Sequence, residues 1–395
     1  MKKTLLIALA IIMAVTVFTA CKQEEAAPSP TPTVIEATPE PPPPSPVWEE
    51  VTPTEEPPPD NISPTTGLMG TTTEYKPLVV QIGNEPHERP QQGLQQADIV
   101  YETLIEGTDT RFTAVYNDAL LKADAPAELP VGPVRSSRYY HQLIQSEWDA
   151  VYVHMGGPDT TGNPESDIYG QNGQHIKQRI SGAGKGTAHA EKFFAWREGK
   201  SMSDYAATDL ISDLDVYEYE PVALQQFKFY PLEDYADAPV VDSVQLRFDR
   251  HLGWVTYQYD ETKSKLLRYL TSSDEPEELL PFTDLDTEQP IEVQNLIVQY
   301  TYVNIMPSDL GGRRKVDMYG SGKADFVING RHVPGTWERA GVTVPTTYKD
   351  MEGNEITFTP GNTWVAVHPM DKTISIAYKD GTAYESTPEV AAPKV

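Results

Sequence analysis

The 395-residue chain has a single cysteine, Cys21, and it stands at the end of an N-terminal apolar run. Lys2 and Lys3 precede the run, Thr4 to Thr19 form it, and Ala20 is the small residue before the cysteine. A charged start, an apolar middle and a small residue before the cut make up an export signal. The run is about 17 residues long, short for a membrane span, and no stop-transfer cluster follows it. Phe18-Thr19-Ala20-Cys21 resembles a bacterial lipobox with Phe18 in place of the usual leucine. Residues 1–20 are therefore expected to be a lipoprotein signal peptide. Cys21 is expected to carry the lipid (palmitate) that anchors an extracytoplasmic protein to the cell membrane. An acylated Cys21 leaves no thiol for disulfides, zinc thiolates or nucleophilic attack. Whatever folds beyond it must be held by its core.

Residues 21–64 cannot supply that core. They carry Pro41-Pro42-Pro43-Pro44, Pro57-Pro58-Pro59, isolated Thr-Pro and Ser-Pro pairs, scattered glutamates and few large apolar side chains. This composition favours an extended, polyproline-like tether. At about 3.1 Å per residue it reaches roughly 130 Å, enough to lift a folded head off the membrane. The formal charge of the chain is −27. Such an acidic body is soluble, and a poor partner for nucleic acid or an anionic membrane surface. Residues 387–395, rich in Ala and Pro, are expected as a loose tail.

The head is expected to be α+β. Its N-terminal part, 65–238, reads as a mixed α/β domain with a hairpin and helices; 239–386 reads as a mostly antiparallel β domain. Lys76 to Ile82 is a short buried strand by its branched apolar run. Asp98–Glu106 and Arg111–Asn117 alternate and suggest a hairpin closed by Gly107-Thr108-Asp109-Thr110. Ser136–Trp148 has a serine cap and an apolar stripe through Tyr140, Leu143, Ile144 and Trp148, hence a helix. Ala150–Met155 is a strand entering a long Gly- and Asn-rich loop, and Ser201–Leu214 is a second helix. Beyond Pro239, runs such as Val244–Phe248, Trp254–Tyr259, Lys265–Leu270, Asn295–Val303 and Thr363–Val367 alternate or are β-branched, as strands do.

Several familiar motifs fail on spacing. Gly320-Ser321-Gly322-Lys323 lacks the Ser or Thr that a phosphate loop needs after its lysine, and Gly186 interrupts the second glycine-lysine stretch; both are expected as turns. No HExxH or close histidine pair suggests zinc, and no GxSxG elbow suggests a serine hydrolase. Asp159, Asn163, Glu165 and Asp167 lack the EF-hand pattern for calcium. No cofactor and no metal site is expected.

A charged cluster survives. With residues 107–110 as the loop, Glu102 lies opposite Val115 and Glu106 opposite Arg111. Glu102, Leu104 and Glu106 then share a charged face with Arg111 and Thr113, and the other face is the core. Arg135 and Arg138 lie three apart at a helix start, where backbone N–H groups favour anions. His154 ends a strand before a glycine pair, a common ligand position. One reading is an anion-binding cleft in which Arg111, Arg135, Arg138 and His154 hold a ligand. Glu102, His154 and His189 are then the candidate acids and bases. The alternative is a salt-bridge network, Glu106–Arg111 included, that locks hairpin to helix.

The same segments resemble the YerB-like lipoproteins, a two-domain bacterial family of unknown function. In the N-terminal half the resemblance rests on NEPHERPQQGLQQADIVYETLIEGTDTRFTAVY (Asn84 to Tyr116), GPVRSSRYY (Gly132 to Tyr140) and WDAVYVHMGG (Trp148 to Gly157). In the C-terminal half it rests on NLIVQY (Asn295 to Tyr300), MYGSGKADFVINGR (Met318 to Arg331) and TFTPGNTWVAVHP (Thr357 to Pro369). It implies an α+β two-domain fold and brings no established activity, so no catalytic residue is carried over. The chain departs from the family's Asp-Asn-His-Pro at Gly83-Asn84-Glu85-Pro86 and from its Pro-His-Asn at Ala188-His189-Ala190. The expected function is binding of a cell-envelope glycan, anionic peptide or protein partner through the Arg-lined cleft. An envelope hydrolase or transferase acting on a saccharide or phosphodiester is the alternative, with Glu102 and Glu106 or Asp98 as a carboxylate pair. A spacer without a ligand is the third reading.

Overall fold

The computed structural model describes residues 59–386, apart from 160–163, 184–193, 197–205, 226, 250, 252, 272–277, 308 and 310. These residues belong to one compact unit, Glu55–Val395. The expectations for Cys21, most of the tether, His189 and the tail lie outside the described residues.

A ten-stranded sheet runs through the unit. In spatial order its strands are Thr347–Asp350, Arg331–Arg339, Gly320–Ile328, Asn295–Thr301, Thr363–Pro369, Ile99–Leu104, Thr110–Tyr116, Leu78–Gly83, Val151–His154 and Arg179–Ser181. The first five come from the C-terminal half of the chain and the last five from the N-terminal half. The join is parallel, with Ile99 beside Thr363 and Thr103 beside Val367.

A second, mostly antiparallel sheet contains Val241–Leu246, Val255–Asp260, Lys265–Thr271 and Ser375–Tyr378. It covers one face of the large sheet, where Val244, Phe248 and Tyr257 pack with Val80, Val100, Phe112 and Trp364. The opposite face is covered by the helix Tyr139–Trp148 and by Phe227 and Phe229, packed on Val79, Tyr101, Val115 and Val365. A strand buried on both faces has no polar side to show. Leu78–Gly83 and Thr363–Pro369 accordingly read as apolar runs rather than alternations.

Among the described residues strands dominate on both sides of residue 239, and the helices are few and short. The expected helix at 136–148 begins at Tyr139, where the Arg138 N–H donates to His141 Nδ1 at 3.0 Å. Of the expected helix at 201–214, residues 201–205 lie outside the described residues, Ala206–Asp209 is a strand and Leu210–Leu214 is helical. Gly320-Ser321-Gly322-Lys323 opens a strand instead of forming a turn. That strand turns through Asn329 and Gly330, at φ 49° and 71°, into Arg331–Arg339. Among the described residues no helix is long and apolar enough to cross a membrane.

The hairpin forms, in a different register. Ile99 lies opposite Val115, Thr103 opposite Arg111 and Leu104 opposite Thr110, so residues 105–109 close the loop. The shift from the expected pairing is three residues, and an odd shift exchanges faces. Glu102 and Arg111 are therefore on opposite sides of the sheet. Both are buried, and the single charged face expected to meet solvent or line a cleft does not exist. Two apolar faces give alternation nothing to choose between, which is why the pattern alone misplaced the register.

Candidate functional site

Glu102 leaves its strand on the side of the second sheet. Arg268 Nη2 donates to its Oε1 and Oε2 at 3.2 and 3.0 Å, and Thr110 Oγ1 donates to Oε1 at 2.7 Å. The side chains are 0% (Arg268) and 2% (Glu102) exposed. Arg268 comes from Lys265–Thr271, where it shares the inward side with Leu266. An arginine at the apolar phase of an alternating strand was the available sequence signal, and it was missed. Beside the pair lies a cavity of about 250 Å³ whose lining includes Asn84, Arg89, Asp109 and Arg268.

The helix side of the sheet holds Arg111, Arg138 and His154. Arg138 Nε and Nη2 donate to the two carboxylate oxygens of Glu106, both at 2.6 Å. Burial opposes ionisation of Glu106, but the Arg138 pair outweighs it and holds the carboxyl below its usual range. Arg135 pairs with the buried Glu88. Arg111 Nη1 donates to the Ser136 carbonyl at 2.6 Å, and burial followed by the nearby Arg138 charge pulls its pKa down to about 10. His154 is fully buried and stacked on Tyr152, with Nδ1 2.8 Å from the Gly156 carbonyl. Burial, then Arg179, pulls its pKa down to about 3, so the ring is neutral near pH 7.

Glu102 is thus separated by the sheet from Arg111, Arg138 and His154. The arginines are engaged with Glu106, Glu88 and a backbone carbonyl, in the pattern of the salt-bridge alternative but with Arg138 in place of Arg111. The carboxylates named for a glycosidase pair are also committed: Asp98 accepts from Thr65 Oγ1 and from the N–H groups of Asn117 and Asp118. Glu85, His87 and Glu88 bring possible metal-ligand atoms within 4.8 Å of one another. Glu88 is already held by Arg135 and by the Glu85 N–H at 2.7 Å.

An open groove lies elsewhere. The short strands Val303–Ile305 and Arg314–Val316 pair antiparallel beside two hollows of about 380 and about 490 Å³. Lys315, Asp317 and Tyr319 line both hollows and form their shared wall. Tyr302 and Trp337 line the first; Tyr139, Glu165 and Asn172 line the second. Tyr319 is 51% exposed. Two anchors position these walls. The Tyr139 hydroxyl accepts from Val316 N–H at 2.8 Å and donates to its carbonyl at 3.1 Å; Trp337 Nε1 donates to the Tyr300 carbonyl at 2.8 Å. The exposed Tyr319 and the half-buried Tyr302, flanked by amide and carboxylate groups, suit a ligand with apolar ring faces and many hydroxyls. Sequence reasoning missed this groove because its second hollow is walled by residues 139–175 and 306–342, more than a hundred residues apart.

Comparison with known proteins agrees with this architecture. Residues 65–211 match the N-terminal domain, and residues 244–365 the C-terminal domain, of a family described as proteins of unknown function (DUF3048). The chain is 31% identical over 333 residues to "Putative lipoprotein YerB" of Bacillus subtilis (strain 168), covering 81% of this chain and 89% of that protein. The crystal structure of the YerB protein from Bacillus subtilis matches with a TM-score of 0.60 at 24% identity, over 82% of this chain and 99% of that one. By sequence and by fold, the chain belongs to the YerB-like lipoprotein family.

Proposed function

We propose that this is a lipid-anchored, extracytoplasmic envelope protein, acylated at Cys21 after removal of residues 1–20, whose head binds a glycan strand in the groove at Tyr319. The shared wall of Lys315, Asp317 and Tyr319 between the two hollows carries the reading, because it joins them into one elongated site. Tyrosine faces, Tyr319 above all, stack on the apolar faces of sugar rings, and Asp317, Asn172 and Glu165 offer hydrogen bonds to hydroxyls. The kinship with a lipoprotein supports the anchor.

The test is retention of the purified protein on insoluble peptidoglycan, with titration of soluble glycan chains. Tyr302→Ala with Tyr319→Ala should weaken binding by roughly tenfold or more, the scale of losing two stacking contacts. Unchanged retention in that double variant rules the groove out. Radiolabelled palmitate should enter the wild type and not Cys21→Ser.

A further inference from the structure

The cavity beside Glu102 holds an arginine that the protein does not fully use. Arg268 has five N–H donors. Nη2 serves Glu102, while Nε and Nη1 make no hydrogen bond of normal geometry among the described residues. Buried donors are nearly always paired, so two on one guanidinium call for an explanation. Neighbouring aromatic residues supply part of it: the Tyr257 hydroxyl interacts with the guanidinium, whose carbon lies 4.0 Å from the Phe282 ring centre and 5.3 Å from that of Trp364.

The cavity supplies the rest. Arg89 also lines it and spends Nε and Nη2 on the Oδ1 and carbonyl of Asn84, at 3.0 and 2.7 Å. Burial, and next the positive charge of Arg268, pull the Arg89 pKa down to about 10. Glu102 is already shared among Arg268, Thr110 and Asn84. Two guanidiniums therefore border a small space in which an anion relieves their repulsion and accepts from the Arg89 Nη1 that Asn84 leaves over. Asp109 lines the same space, and burial followed by the charge of Glu85 raises its pKa, so a cation is favoured at that end. About 250 Å³ holds a ligand of amino-acid size.

We infer that this cavity binds a small α-amino carboxylate, with its carboxylate between Arg89 and Arg268 and its ammonium toward Asp109. The site is separate from the glycan groove and stands or falls independently of it. The experiment is isothermal titration of the purified protein with glycine, L-alanine, D-alanine, sodium acetate and inorganic phosphate, with sodium chloride as the ionic-strength control. At least one amino acid should bind saturably and more tightly than acetate or phosphate. Arg89→Gln should weaken that binding about tenfold while leaving peptidoglycan retention unchanged; the lost bonds to Asn84 lower its urea midpoint, so binding is compared well below the unfolding transition. Asp109→Asn should erase the preference for the amino acid over acetate. The inference is overturned if no amino acid binds saturably, if acetate or phosphate binds as well as the amino acids, or if Arg89→Gln binds like the wild type.

Discussion

Arg268 and Glu102 are 166 residues apart in the chain and meet with Nη2 3.0 Å from Oε2 inside the interface between the two sheets. The pair ties the strand Ile99–Leu104 of the large sheet to Lys265–Thr271 of the second. A buried cation whose partner is removed has no water to replace it. Glu102→Ala should therefore cost about 3–5 kcal/mol, read as a lower urea midpoint, and Arg268→Met added to it should recover much of the loss. A single-variant cost below about 1 kcal/mol would mean that the rings around Arg268 carry its charge unaided.

His154 gives a pH dependence with a definite sign. The folded protein keeps the ring neutral down to about pH 3, whereas the unfolded chain takes up a proton near 6.5. Below 6.5 the unfolded state binds more protons, so stability falls as the pH drops through that window. His368, pulled down to about 4 by burial, adds the same slope. Asp213, raised to about 7 by burial, opposes it. Comparing wild type with His154→Gln isolates the His154 share: between pH 6 and 4 the variant should lose about 1.4 kcal/mol less per pH unit. Parallel urea-midpoint curves for the two proteins would contradict the assignment.

Arg135→Ala with Arg138→Ala tests the cleft against the groove. Both arginines are held by internal carboxylates, and the Arg138–Glu106 pair keeps some exposure, 14% and 22% for the two side chains. Peptidoglycan retention should be unchanged in the double variant. Loss of the screened Arg138 pair contributes on the order of 1 kcal/mol to the drop in stability. Weakened retention with an unshifted urea midpoint would return the binding role to these arginines.

Gly330 and Gly107 separate strain from collision. Both have a positive φ, 71° and 66°. A Cβ on Gly330 would stand 2.1 Å from the Tyr259 ring, while one on Gly107 meets nothing within 4 Å. Gly107→Ala should cost about 1 kcal/mol from the backbone alone. Gly330→Ala should cost roughly 1–3 kcal/mol more, visible as the larger fall in Tm. Equal losses would show that the ring moves aside freely.

Much of the fold was legible locally. The strands at Leu78–Gly83, Ile99–Leu104, Val255–Asp260 and Asn295–Thr301 lie where apolar or alternating runs predicted them. Arg331–Arg339 was overlooked because Pro334 and Gly335 interrupt its pattern, although Asn329-Gly330 ahead of it is a strong hairpin signal. Pro334 is tolerated just before the pairing with Thr347–Asp350 begins at Gly335. The site was less legible. Arg111, Arg138 and Glu102 were recognised as a charged group, but each partner lies across a register or a sheet that periodicity does not encode.

From the residues alone came the absence of any thiol beyond Cys21, the inability of the proline-rich stretch to bury a core, and the positions of most strands. These follow from composition and short-range pattern, which act within a few residues. The pairing of Glu102 with Arg268, and the separation of Glu102 from Arg111, came from packing. With both faces of the large sheet apolar, burial is satisfied in either phase of the hairpin, and the choice falls to contacts made more than a hundred residues away.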